Sequence, residues 1–267
     1  EKLLVTLNKR LGHASEAARA IMTTDPFPKE ACTTVTIGGK TVTIGGIAKG
    51  SGMIEPMMAT MLGFVTTDGK VARPMLHRAL VEAVNDTFNA ITVDGDSSTN
   101  DCVMLLANGQ SGVTIGDAEY AAFAGGLRAV CLDLALGIVR GGEGATKLVT
   151  VTVSGAASPA EARQTAKAIA NSLLVKTAIH GGDPNWGRLL AVAGRAGVSI
   201  DPQRAKVTIG SIVLFEHGRP YDDRAPLAAE HLKGSEIAVG VDLGAGRDTS
   251  TVWTCDLSAE YVKINAE

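Results

Sequence analysis

The chain has 267 residues, 45% of them hydrophobic, and a formal net charge of −3. That length can bury a large core in one broad domain or two, and the mild negative charge gives no basis for binding nucleic acid or an anionic membrane. No apolar run approaches the roughly 20 residues of a membrane span, no signal-peptide pattern opens the chain, and Cys32, Cys102, Cys131 and Cys255 match neither zinc-site spacing nor a disulfide framework.

Three of the cysteines lie in apolar runs and read as buried free thiols, which fit a reducing, cytoplasmic compartment. With 31 glycines and only 4% aromatic residues, packing must rest on compact strands, tight turns and small side chains. The chain begins at Glu1 without a methionine and stops at Glu267 just after an apolar run, which reads as a fragment of a longer protein.

In chain order, Glu16 to Met22 reads as a short helix that ends before Pro26, which biases Asp25 away from helix. Lys29 to Ile37 and Thr41 to Ile47 alternate as strands, and Gly38-Gly39 between them signals a hairpin. A glycine-rich turn follows, and then an apolar strand from Met61 to Val65. Pro74 to Ile91 has helical spacing through Leu76, Leu80, Ala83, Thr87 and Ile91. Asp94 to Asp101 is turn-rich, and Val103 to Ala107 reads as a short buried strand. Asp117 is the expected cap of a long helix carrying Tyr120, Phe123, Leu127, Cys131 and Leu134. Lys147 to Val153 alternates as a strand.

Ser158-Pro159-Ala160-Glu161 is a capping-box start for a helix to about Leu174. Asp183-Pro184 is the expected start of another, through Ala193. Strands are then expected near Val207 to Phe215, at Ile237 to Leu243, Thr249 to Asp256 and Tyr261 to Ile264, with a helix from about Asp223 to Leu232. Strand and helix alternate, so the class is α/β with mixed sheets. The division is expected near residue 165, giving a nucleophile-bearing domain over 1–165 and a C-terminal α/β domain over 166–267.

The chemistry centres on Ala48 to Thr67, AKGSGMIEPMMATMLGFVTT. Threonine is a weak nucleophile until a base takes its proton. As the first residue of a chain it carries its own base, an α-amine with an unperturbed pKa near 8. Thr60 could reach that state by attacking the carbonyl of Ala59 and turning the peptide into an ester that water hydrolyses. On residue chemistry alone, Thr60 reads first as an ordinary threonine at a strand entry, and the nucleophile is the lesser reading. Lys49 is either a solvated turn lysine or a carboxylate binder. Thr23-Thr24-Asp25 is a helix terminus on its own terms. Glu143 is a turn residue or a carboxylate facing an amine, and His180 has no partner spacing and reads as structural.

Five blocks, IMTTD (21–25), GGIAKGSGMIEPMMATML (45–62), GEGATK (142–147), KTAIHGGDPNWGR (176–188) and YVKIN (261–265), together resemble the ornithine acetyltransferase family, known as ArgJ. They are spread in order over the whole chain, and AKGSGMIEPMMATML is the most specific. The resemblance implies an N-terminal-nucleophile-like layered α/β sandwich with a smaller α/β C-terminal domain. It implies self-cleavage at Ala59-Thr60 into an α and a β chain, assembled as an α2β2 hetero-oligomer. It further implies ping-pong acetyl transfer from N-acetyl-L-ornithine to L-glutamate through an acetyl-Thr60 ester, in arginine biosynthesis. Thr23 (rather than Thr24), Lys49, Thr60, Glu143 and Asn265 are the implied substrate contacts. No cofactor, metal, nucleic acid or membrane is implied; acetyl-CoA is a co-substrate in some members.

Family members carry a segment before the equivalent of Glu1, with a Thr-Gly pair that stabilises the oxyanion, and a few residues after the equivalent of Glu267. Neither is in this chain as it stands. Two enzyme alternatives remain: an aminopeptidase or amidase using the same nucleophile, and an antibiotic-pathway relative. The third is a non-catalytic fragment.

Overall fold

The computed structural model describes residues 13–55, 61–97 and 99–266. The chain divides into two compact units, residues 1–89 with 97–141, and residues 90–96 with 142–267. The division falls at 141/142 rather than near residue 165, because the strand that follows residue 147 pairs on both sides within the second unit.

The first unit is built on a four-stranded sheet of β1 (Lys29–Ile37), β2 (Lys40–Lys49), β3 (Leu62–Thr67) and, after the crossover, β5 (Cys102–Ala107), in that order. β1 and β2 pair without a break from Lys29 opposite Ala48 to Ile37 opposite Lys40. Gly38 and Gly39 close this hairpin with φ of 57° and 76°, the two positive values a tight hairpin turn requires. β3 runs antiparallel to β2 and parallel to β5. The short strands β4 (Lys70–Val71) and β6 (Thr114–Ile115) form a separate parallel pair.

Among the described residues this unit holds the α-helices α1 (His13–Ala20), α2 (Arg73–Asp86) and α3 (Tyr120–Arg140). α2 ends earlier than the periodicity predicts. The Thr87 hydroxyl bonds back to the Ala83 carbonyl at 2.7 Å, and a 3-10 turn over Phe88–Ala90 follows. α3 packs on β1 and β2, burying Phe123, Leu127, Cys131, Leu134 and Ile138. Each such side chain stabilises the unit by about 1.5–3 kcal/mol. Gly126 permits the approach: a Cβ there would lie 2.7 Å from Val35. Asp117 does not cap α3; the N-cap position is Glu119, whose carboxylate accepts the Gly116 amide instead. At 21 residues α3 is long and apolar enough to cross a membrane by length and composition, contrary to the expectation of no such run. Half of it is buried on the sheet, as in a core helix. β5 is an edge strand and not a buried one, with Met104 and Leu106 49% and 56% exposed.

The second unit is a six-stranded mixed sheet of β7 (Leu148–Ala156), β8 (Lys206–Ile209), β9 (Ile212–Glu216), β10 (Arg219–Pro220), β11 (Glu236–Asp242) and β12 (Asp248–Cys255), in the order β10-β9-β8-β11-β7-β12. Among the strand pairs of this sheet, β7 and β11 are parallel and the others antiparallel. Val149, Val151 and Val153 point to one face and pack with Ala162, Ala166 and Ile169 of α4 (Pro159–Ala170). Residues 90–96 join this unit through an Ile91–Trp253 bridge.

Ser158 caps α4 as expected, accepting the Glu161 amide at 3.2 Å. The helix then stops at Ala170 instead of near Leu174, because Ser172 caps a new one, α5 (Leu173–Gly181). The next helix, α6 (Trp186–Gly194), is capped by Asn185 and not by Asp183. The strand expected over 207–215 is a hairpin that turns at Gly210, φ 58°. A short helix, α7 (Ala225–Leu232), follows. The segment read as a strand at Tyr261–Ile264 is helical, α8 (Ala259–Ala266). Ser258 sets its first turn by accepting the Glu260 amide at 3.2 Å. The apolar Val262 and Ile264 that suggested a strand are 63% and 42% exposed.

Candidate functional site

The sequence candidates fall in both units. In the first unit they gather where β1 begins and β2 ends. Thr23 is exposed in the loop before β1, whereas Lys49, the last residue of β2, is only 8% exposed. A residue that sequence reasoning did not single out connects them. The carboxylate of Asp25, wholly buried, accepts the Thr23 amide at 3.1 Å on Oδ2 and the Gly50 amide at 2.7 Å on Oδ1. Lys29 donates to the same Oδ1 and, at 3.2 Å, to the Gly50 carbonyl. Burial pushes the Asp25 carboxyl up, but the Gly50 amide, Lys29 and the Thr23 amide outweigh it and hold the group below the usual carboxylate range. Burial likewise disfavours the charged form of Lys29, and Asp25 opposes that.

Ser51, buried beside Gly50, donates to the Gly141 carbonyl at 2.7 Å. The turn then passes Met53, at φ 54°, to Ile54, which is fully buried. Ala59 and Thr60, the expected cleavage junction, lie outside the described residues. The described residues on both sides of 56–60 are held. The Glu55 carbonyl accepts the Ser97 hydroxyl at 3.0 Å, and the Met61 amide donates to Asp101. Met61 is 2% exposed, and its carbonyl accepts the Cys102 amide.

In the second unit Glu143 and Asn265 are brought together directly: the Asn265 amide donates to Glu143 Oε2 at 2.9 Å and to the Tyr261 carbonyl at 3.0 Å. The Glu143 turn is clasped by α8. Ser258 donates to the Gly144 carbonyl at 2.6 Å, and a Cβ on Gly144, φ 69°, would lie 2.5 Å from the Tyr261 amide nitrogen. The Tyr261 hydroxyl donates to Asp94 at 3.3 Å; burial first, then the Asp94 carboxylate, push its pKa up to about 12.

Asp256, also missed by sequence reasoning, anchors the other end of the GEGATK turn. Its buried carboxylate accepts the Thr146 and Lys147 amides at 2.8 Å each, the Thr146 hydroxyl at 2.5 Å, and pairs with His180 Nδ1 at 2.7 Å. Burial raises its pKa, but the Thr146 and His180 bonds and the two amides outweigh it and leave the carboxyl below its usual range. The Lys147 ammonium donates to the carbonyls of Ile179, His180 and Leu232, neutralising the ends of α5 and α7. His180 is therefore a structural partner of Asp256.

Cys131 and Cys255 are buried free thiols, Cys131 pushed up to about 12 by burial, but Cys102 is half-buried and Cys32 exposed. Among the described residues no cluster of three or more His, Cys, Asp or Glu side chains could hold a metal ion. Chemically, the first unit offers in Lys49 a shielded cation, a group suited to a carboxylate. The second offers a carboxylate braced by an amide, suited to an ammonium group.

The chain matches the model of the ArgJ family over residues 1–267. It is 52% identical over 254 residues to the arginine biosynthesis bifunctional protein ArgJ of Symbiobacterium thermophilum, covering 94% of this chain and 63% of the relative. It is 47% identical over 261 residues to the protein of the same name from Bacillus cereus, covering 97% of this chain and 64% of the relative. The chain thus spans somewhat less than two thirds of the length of these curated relatives. A crystal structure of the arginine biosynthesis bifunctional protein argJ from Bacillus halodurans superposes with a TM-score of 0.75 at 43% identity, covering 78% of this chain and 99% of the solved one. With the fold and the whole length in agreement, the chain belongs to the ArgJ family.

Proposed function

We propose that the protein carrying this chain is a glutamate N-acetyltransferase of arginine biosynthesis that works through Thr60 after cleaving itself at Ala59-Thr60. The observation that carries this reading is the family match over the entire chain, including the AKGSGMIEPMMATML block. One coincidence of lengths supports the cleavage. The solved relative is covered over 99% of its length by 78% of this chain, and residues 60–267 make up that same share.

In the proposed maturation the Thr60 hydroxyl attacks the Ala59 carbonyl carbon. The C–N bond breaks, the amine of Thr60 takes the proton, and water hydrolyses the ester to free the Ala59 carboxylate. In catalysis the Thr60 amine accepts the hydroxyl proton as the oxygen attacks the acetyl group of N-acetylornithine, and passes that proton to the departing ornithine amine. Glutamate's amine then attacks the acetyl ester, and the proton returns to Thr60. Lys49 binds a substrate carboxylate and Thr23 hydrogen-bonds beside it. Glu143 receives a substrate ammonium group and Asn265 orients Glu143. The cleaved halves assemble as α2β2. The word bifunctional in the relatives' names supports acetyl-CoA as a second donor.

The test is incubation of the full-length protein with acetyl-labelled N-acetylornithine and glutamate. Label in N-acetylglutamate is expected; release as free acetate with no transfer would instead assign an amidase.

A further inference from the structure

We propose that Asp25 and Lys29 are a positioning pair that sets the placement of Thr23 and Lys49 for substrate, a role that rests on the acetyl-transfer reading above. Their side chains are 0% and 1% exposed. Burying two charges costs desolvation of both, so such a pair contributes little net stability compared with apolar packing. Its local effect is specific. The amide and carbonyl of Gly50 and the amide of Thr23 all converge on this one ion pair. Gly50 follows Lys49 directly, so the same pair fixes the backbone on the far side of both substrate-facing residues of this unit.

The surroundings are shaped for the pair. Lys29 opens β1 opposite Ala48 of β2. A Cβ on Gly137 would lie 2.9 Å from the Lys29 stem, and one on Gly141 would lie 3.1 Å from its Nζ, so both glycines leave a slot for the lysine at the C-terminal end of α3. The C-terminal end of a helix favours a cation, and the Phe27 ring sits 5.1 Å from the same ammonium. Only a carboxylate offers two acceptor oxygens to three converging donors; an asparagine would aim its own N–H groups at one of them.

The experiment compares Asp25→Asn, Lys29→Met, the double variant and Asp25→Glu in the full-length protein. Each single neutral variant leaves one buried charge unpaired and lowers the melting temperature; the double variant removes both charges and recovers it. The positioning role predicts that the double variant still has kcat/KM for N-acetylornithine at least tenfold below wild type, mainly through KM. Recovery to within twofold overturns it. Asp25→Glu keeps the charge and lengthens the arm by one methylene, so it guards against loss of folding in the others. At least a fivefold rise in KM is expected, and an unchanged KM overturns the proposal. Amide exchange separates this from failure of the acetyl-transfer reading, because it needs no activity. In Asp25→Asn the Thr23 and Gly50 amides should exchange at least tenfold faster while Val42 and Ile44 stay protected; unchanged protection at Thr23 and Gly50 overturns the clamp.

Discussion

Replacing Asp256 separates its charge from its shape. In Asp256→Asn the remaining oxygen can still take the Thr146 and Lys147 amides, each 2.8 Å away in the native protein. The new NH2 then faces the Thr146 hydroxyl, which can rotate to accept, and His180 Nδ1, which accepts once the ring proton moves to Nε2. The loss is chiefly charge assistance, about 1–2 kcal/mol. Asp256→Ala leaves all four donors without an acceptor and costs about 3–5 kcal/mol. The corresponding falls in melting temperature are about 5 °C and about 12 °C.

The pH dependence follows from the sign of the shift. The folded pKa of Asp256 is depressed. Its stabilisation is therefore complete above the unfolded value of about 3.9 and is lost as pH falls through the folded one. Thermal unfolding of wild type and Asp256→Asn, followed by circular dichroism from pH 7 to pH 3, should show a gap that is constant near neutrality and narrows below about pH 4. A gap that does not change over that range, or an asparagine variant as unstable as the alanine one, would rule out a charge-dependent role for Asp256.

Two neighbouring glycines in α3 make a matched pair. Gly126→Ala drives a methyl to within 2.7 Å of Val35 and 3.1 Å of Ile44, and should destabilise by about 1–2 kcal/mol in denaturant titration despite the gain in helix propensity. Gly125→Ala meets nothing within 4 Å and should stabilise by about 0.5–1 kcal/mol, so equal effects at the two sites would contradict the packing of α3 on β1. Ser158→Ala removes the cap of α4 and should cost about 1 kcal/mol in the same assay, with Ser158→Gly costing less.

What could be read in advance was local. The β1–β2 hairpin was visible because Gly38-Gly39 and the alternating β-branched residues speak for the same turn and register. The start of α4 was visible because Ser158, Pro159 and Glu161 carry the whole signal within four positions. The break at Ser172 was hidden because apolar periodicity continues across it, and only the serine's side-chain bond shows that a new helix begins. Val262 and Ile264 mimic a strand because apolar character does not by itself distinguish burial from exposure; in the fold they are exposed. The candidate site follows the same rule. Thr23, Lys49, Glu143 and Asn265 are expected as contacts through the family resemblance of their motifs, whereas Asp25 bonds to Gly50 across 25 residues and Asp256 to Thr146 across 110, and no spacing rule reaches that far.

In the proposed mechanism Thr60 becomes a chain terminus and carries the acetyl group. Mass spectrometry of the purified full-length protein, before and after brief exposure to N-acetylornithine without glutamate, tests it most directly. Two polypeptides divided between Ala59 and Thr60, one acetyl group added on Thr60 of the second, and a single uncut and unacetylated chain for Thr60→Ala are expected. An active protein that remains uncut, or transfer retained by Thr60→Ala, would contradict it.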